Sequence, residues 1–188
     1  MNYMKIVNFT NELIDSVDNL KLDKSNAFPW VTTQGNIEYL TFRSASTHFP
    51  DNKSKIIVLK RKIGNKKWEL ELTTSMNKDL REPRIINFKG CLFLYFCTLQ
   101  RFAFFKPESI MVSEKTSKGW IDSKAIYNDG FMIYSIKEIE KVLYMTCYNK
   151  KNNSECYFLK SLDGNTWSDV FPNKQIHKYL TCETDFIL

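Results

Sequence analysis

The sequence predicts an all-β protein assembled from repeated four-stranded antiparallel units. Three observations carry this. Apolar runs of strand length recur along the chain, bounded by polar or glycine-containing turns. Tryptophans follow such runs at Trp68, Trp120 and Trp167, spaced 52 and 47 residues apart. A glycine stands shortly before each: Gly64-Asn65, Gly119 and Asp163-Gly164. A repeat of roughly 50 residues with several strands per unit describes a β-propeller blade. At that period the 188 residues hold an incomplete propeller of about three to four blades.

The elements follow in order. Residues 1–27 form a separate N-terminal segment. Its apolar positions Ile6, Val7, Phe9, Leu13, Ile14 and Val17 fit an edge strand or a short helix equally. Residues 28–188 form the partial propeller. Asn36–Phe42 is a strand after the Gln34-Gly35 turn, and Lys55–Lys62 is another after the Pro50-Asp51-Asn52 break. Trp68–Thr73 alternates Leu70 and Leu72 with Glu69 and Glu71, the pattern of a half-buried strand. Arg84–Phe88 and Cys91–Thr98 flank Lys89-Gly90 and read as a hairpin. Ile110–Glu114, Phe131–Ser135, Val142–Tyr148 and Cys156–Leu159 continue the series, and Trp167 closes the last hairpin.

Composition excludes several classes. Hydrophobic residues make up 43% and aromatics 14%, too many for a disordered chain. The formal net charge is +6, and seven basic residues lie between Lys53 and Lys67. They flank or follow a strand, where lysine keeps edges and turns solvated, so we read a solvated face and no nucleic-acid partner. Cys91, Cys97, Cys147, Cys156 and Cys182 contain no CxxC pair, and neither His48 nor His177 neighbours a cysteine. Buried free thiols, no metal site and no cofactor are expected. Asn8, Asn11, Glu12, Asp15 and Asp18 interrupt the first twenty residues. No secretory h-region and no membrane span are expected, hence a cytoplasmic location.

The stretch Ser161-Leu162-Asp163-Gly164-Asn165-Thr166-Trp167 resembles the Asp-box (BNR repeat) of sialidases, a structural turn of those propellers. Its residues suit a tight turn. Asp163 supplies a carboxylate for backbone amides, Gly164 tolerates positive φ, and Trp167 buries a large ring beside them. The resemblance implies a sialidase-like glycoside hydrolase acting on a glycan, sialylated in that family, with site residues along the chain. Arg43 sits at a strand end like a substrate-binding arginine, followed by His48 and by Asp51 in the place of an acid/base aspartate. Arg81, in Asp79-Leu80-Arg81-Glu82-Pro83, is similar to an arginine that pairs with a substrate carboxylate. Glu183 is similar to the glutamate that serves a catalytic tyrosine.

The chain also departs from that family. Asn26-Ala27-Phe28-Pro29-Trp30 occupies the place of a Phe-Arg-Ile-Pro stretch without its arginine, and the tyrosine nucleophile would fall beyond Leu188. The expectation is therefore an amino-terminal portion of a propeller that does not hydrolyse sialosides by itself. Its unpaired edges would favour self-association or a complementing C-terminal fragment. The other functional class consistent with the sequence is a non-catalytic propeller that binds a glycan or protein on one face.

Overall fold

A computed structural model describes residues 17, 20–100, 105–127, 130–149, 155–171 and 185–186. Thirteen strands form three antiparallel sheets, and no helix occurs among the described residues. The first sheet, blade A, runs β1 (Ser25–Gln34), β2 (Ile37–Ala45), β3 (Lys55–Lys62), β4 (Glu69–Ser75). Blade B runs β5 (Asp79–Phe88), β6 (Cys91–Leu99), β7 (Pro107–Thr116), β8 (Gly119–Trp120). A further strand, β9 (Lys124–Tyr127), also pairs with β7 and completes its outer edge. Blade C runs β10 (Phe131–Ile139), β11 (Val142–Asn149), β12 (Glu155–Ser161), β13 (Ser168–Asp169). Strand order follows chain order in every sheet, and the first strands β1, β5 and β10 pack on one another. These are three consecutive propeller blades around a common axis. The first strand begins at Ser25, three residues ahead of the expected boundary.

Burial follows the strand pattern. Central strands lie between sheets and are apolar on both faces: in β6, Leu92 through Leu99 are all buried. The outer strand β4 is half-buried or exposed throughout, and its bulge opposite Val58 and Leu59 leaves Leu70 exposed and turns Glu71 inward, against the expected alternation. One core cluster lies between blades B and C, another between A and B, and a third on the far side of blade A. That third cluster holds Leu40, Phe42, Ile57, Leu59 and Trp68, with Val17, Leu20 and Leu22 packed against it.

The three tryptophans occupy the same topological place, just after the turn between the third and fourth strands. Each leans toward what precedes its blade. Trp68 packs in the cluster that includes Val17. Trp120 donates its indole N–H to Glu71 of blade A at 3.2 Å. Trp167 meets Tyr95 of blade B edge-on, with centroids 5.8 Å apart. The periodic tryptophan is thus the wedge that seals one blade to the element before it. Cys97, Cys147 and Cys156 are buried and outside any disulfide as expected, Cys182 lies outside the described residues, and Cys91 is exposed because it follows directly on the Lys89-Gly90 turn.

The Ser161–Trp167 turn shows how the seal is built. Asp163 Oδ1 accepts the amides of Thr166 at 2.7 Å and Asn165 at 2.8 Å, and Ser161 Oγ accepts the Gly164 amide at 2.9 Å. The Gly164 carbonyl accepts the Tyr95 hydroxyl at 2.7 Å, and Lys89 Nζ donates to the Leu162 carbonyl. Gly164 has φ +79°, and a Cβ there would stand 2.7 Å from the Phe93 ring. Gly164→Ala combines backbone strain with a clash in a packed seam, and should cost roughly 1–3 kcal/mol in urea unfolding. The same substitution at Gly35, where no atom lies within 4 Å, meets only the positive φ and should cost less.

The Thr166 amide does most to hold the Asp163 carboxyl down to about 2 from 3.8, against the opposing effect of desolvation, with the Asn165 amide adding to it. A folded value below the unfolded one means the contribution is complete above pH 3.8. It disappears as pH falls through about 2. Asp163 is exposed, so the effect is screened. Asp163→Asn should lower stability at pH 7 and flatten the dependence between pH 4 and 2, read from thermal melts across that range.

Candidate functional site

All three inner strands carry a β-bulge at the same level. In β1 the register slips between Ala27 and Trp30, in β5 between Arg81 and Arg84, and in β10 between Ile133 and Ser135. Each bulge inserts one extra residue opposite its partner strand. A bulge re-aims side chains and often borders a binding site. Here the three lie side by side at the axis and open a pocket of about 190 Å³. Phe28, Pro29 and Trp30 line it from β1, Arg84 from β5, Tyr134 and Ser135 from β10, and Asp185 from the segment beyond blade C. Phe28 and Glu82 stand at φ +58° and +50°, each directly before a proline.

Arg84 is the floor of this pocket, with its side chain 6% exposed. Its Nε and Nη2 both donate to the Tyr134 carbonyl, at 2.9 and 2.8 Å, joining β5 to β10. Nη2 also donates to Glu82 Oε2 at 2.9 Å, and the guanidinium lies over the Trp30 ring at 4.7 Å. One cation therefore ties the three inner strands together. Asp185 pairs with Lys137 at 2.7 Å. Desolvation acts to raise its pKa, but Lys137, Ser135 and the Phe186 amide outweigh it, and the net direction is downward.

The residues singled out from sequence gather nearby, at the end of the blades where β1, β5 and β10 begin. Arg43 is fully buried at the end of β2. It donates to Asp79 Oδ1 at 2.7 Å and to the carbonyls of Leu80, Thr47 and Phe49. Arg81 donates to the other oxygen of Asp79 at 2.6 Å and to the His48 carbonyl at 2.6 Å. Both guanidiniums are thus engaged with protein at the junction of blades A and B, and Arg43 reaches no solvent. His48 stands on the loop they hold, its ring 5.6 Å from Phe28.

Asp51 closes that loop, accepting the Ser46 amide and hydroxyl and the Lys53 amide. Desolvation is the largest single influence on its carboxyl and acts upward. The hydrogen bonds from Ser46 and Lys53, with Arg43 nearby, outweigh it and lower the pKa. A general acid needs the opposite shift. The geometry of Asp51 is that of a turn former. Glu183 lies outside the described residues. Ser161, Asp163, Gly164 and Trp167 sit at the far end of blade C, on the side of the third-to-fourth-strand turns.

The pocket residues Phe28, Trp30, Arg84 and Tyr134, and Glu82 that pairs with Arg84, were missed as a site by sequence reasoning. A signal was present. Phe28-Pro29 and Glu82-Pro83 recur 54 residues apart, close to the tryptophan period. Proline inside a strand marks an edge or a bulge, so two in register mark the bulged inner strand of successive blades.

No protein-family model and no curated protein matches the chain. Solved structures do resemble it. Xylan β-1,4-xylosidase from Bacillus halodurans C-125 aligns with a TM-score of 0.57 and 11% identity, over 86% of this chain and 33% of that one. The α-L-arabinofuranosidase Arb93A from Fusarium graminearum, in complex with an iminosugar inhibitor, aligns with a TM-score of 0.60 and 15% identity. That match covers 84% of this chain and 51% of the other. An α-L-arabinanase from Penicillium chrysogenum, complexed with arabinobiose, gives 0.57 and 14%, over 79% and 51%. At such identities the likeness is one of fold. This chain spans a third to about half the length of these proteins, and they are glycoside hydrolases other than sialidases.

Removing the shared counter-ion tests the blade junction. Asp79→Ala leaves two buried guanidiniums without a carboxylate, which costs about 3–5 kcal/mol where such pairs are broken. We expect a loss of that order in urea unfolding, with proteolysis in the 46–50 loop rising under native conditions.

Proposed function

We propose that this chain forms the glycan-binding end of a propeller related in fold to glycoside hydrolases, with the axial pocket as its sugar site. The observation that carries this reading is the convergence of three bulged inner strands on one small pocket. Aromatic faces from Phe28 and Trp30, the Arg84 cation and the Asp185 carboxylate meet there. Sugar rings present an apolar C–H face to an aromatic ring and hydroxyls to charged and polar groups, and this lining offers both. A volume of about 190 Å³ suits one ring, where drug-sized ligands need about 300–1,000 Å³. The fold likeness to a protein complexed with arabinobiose makes a pentose disaccharide the first ligand to test.

A neutral glycan fits this lining better than a sialylated one. Arg43 and Arg81 are committed to Asp79 and to loop carbonyls, and Arg84 to Glu82 and carbonyls. A ligand carboxylate would compete for those N–H groups. Asp51 and Asp185 are both held ionised at neutral pH, unlike a glycosidic proton donor. The 188-residue chain is therefore proposed to bind without hydrolysing.

Calorimetric titration with arabinobiose, xylobiose and 3′-sialyllactose tests both statements. We expect a neutral disaccharide to bind, Phe28→Ala and Asp185→Asn to weaken it about tenfold or more, and sialyllactose not to bind. Near-UV circular dichroism shows that the variants remain folded. Preferred binding of sialyllactose would restore the sialidase-like specificity, and no binding of any glycan would remove the sugar-site reading. Release of a reporter from an aryl glycoside, abolished by Glu183→Ala, would replace binding with catalysis.

A further inference from the structure

Loop 46–50 between β2 and β3 is held unusually firmly for a surface segment. Its carbonyls at Thr47, His48 and Phe49 accept, in succession, from Arg43 Nη1 at 2.9 Å, Arg81 Nη2 at 2.6 Å and Arg43 Nη2 at 3.1 Å. The two arginines share the carboxylate of Asp79, and all three side chains are at most 5% exposed. The loop is closed from outside by Asp51, which accepts from Ser46 and Lys53. Burying two guanidiniums and a carboxylate is costly, and the backbone they fix is short and otherwise polar.

What the fixed loop displays is aromatic. His48 is exposed and stands 5.6 Å from Phe28, the residue that lines the axial pocket from β1. Phe49, next in the chain, is 75% exposed. Single exposed apolar residues are ordinary on protein surfaces. This one differs in having its backbone tied to the buried cluster and its neighbour in contact with the pocket wall. Phe28 is shared between pocket and rim, so the two surfaces are continuous.

We infer that His48 and Phe49 form a second sugar subsite, so that the ligand of the axial pocket is an oligosaccharide of at least two residues. This rests on the sugar-site reading above. The first ring fills the small pocket, and the second packs on the rim beside Phe28. Because the loop is anchored beforehand, little ordering entropy opposes that second contact. Arg43, Arg81 and Asp79 act on the ligand only through the loop, as positioning residues.

The test compares methyl α-L-arabinofuranoside with arabinobiose and arabinotriose, by chemical-shift titration of the 188-residue chain. The wild-type chain should bind the oligosaccharides about tenfold more tightly than the monosaccharide. Phe49→Ala changes only an exposed side chain and leaves His48, which packs on the pocket residue Phe28, in place. It should remove that gain while leaving the monosaccharide affinity and the shifts around Trp30 unchanged. Arg81→Lys, which weakens the carbonyl anchor without touching the rim, should reduce the gain in part. An oligosaccharide advantage that persists in Phe49→Ala, or is absent from the wild type while the monosaccharide still binds, overturns the subsite and leaves the pocket standing. Failure of every sugar to bind the wild type overturns both.

Discussion

The buried pairing of Arg43 and Arg81 on Asp79 is the constraint from which the rest of this end of the molecule follows. Asp79 opens the inner strand of blade B, Arg43 closes the second strand of blade A, and their contact at 2.7 Å fixes one blade against the next. Arg43 also takes the carbonyl of Leu80, whose amide is held in turn by Ser54 Oγ at 2.7 Å. The backbone leading into the β5 bulge is therefore secured on both of its polar groups. Charges this deeply buried stabilise little in net terms, because desolvation offsets most of their attraction. Their effect is geometric. They leave one arrangement of strand, bulge and loop in which every guanidinium has a partner.

The two blade seams solve a common problem with different chemistry. A twisted sheet presents one face to each neighbour, and something must fill the widening gap between sheets toward the rim. Between A and B the filler is polar at its edge: Glu71 accepts from Lys60, Lys115 and the Trp120 indole. Desolvation opposes the Glu71 charge, but the two lysines outweigh it and lower its pKa. Between B and C the filler is a backbone turn laid on an aromatic ring, with Gly164 against Phe93 and the Tyr95 hydroxyl on its carbonyl. Burial raises the Tyr95 pKa, and the charges of Asp163 and Glu114 raise it further, so the phenol remains a donor to that carbonyl. Register explains the correspondence. Tyr39, over whose ring Lys115 lies at 5.0 Å in the A–B seam, pairs with Lys60 as Phe93 pairs with Glu114, so the two rings occupy matching positions in their blades.

The fold was legible because its repeat is carried by residues with one dominant role each. A tryptophan after a glycine turn has few uses other than filling a seam, and its spacing survives where the rest of the motif is lost at Gly119-Trp120. The site was less legible because arginine serves two purposes that sequence does not separate. Arg43 and Arg81 stand where a ligand-binding arginine would, and only their hydrogen bonds show that their N–H groups face carbonyls and Asp79. Arg84 only opens the strand expected from the sequence, Arg84–Phe88, yet in the longer, bulged β5 it touches all three inner strands. Position along the strand was readable, whereas which neighbour each guanidinium meets depends on two other blades.

The bulges separate architecture from function. If a bulge at this level served only to bend the inner strand, its backbone would take the least strained form in every blade. Blade C shows that such a form exists, since the β10 bulge at Tyr134 is made without a positive φ. Phe28 and Glu82 nevertheless adopt left-handed backbone, at a cost of order 1–3 kcal/mol each, and the following proline restricts them further. Among the three bulges, the strain falls on the two strands that bring Phe28 to the pocket wall and Glu82 to Arg84. Such strain, at matching positions in two blades beside one pocket, supports the proposed sugar site, because a binding site requires pre-organisation.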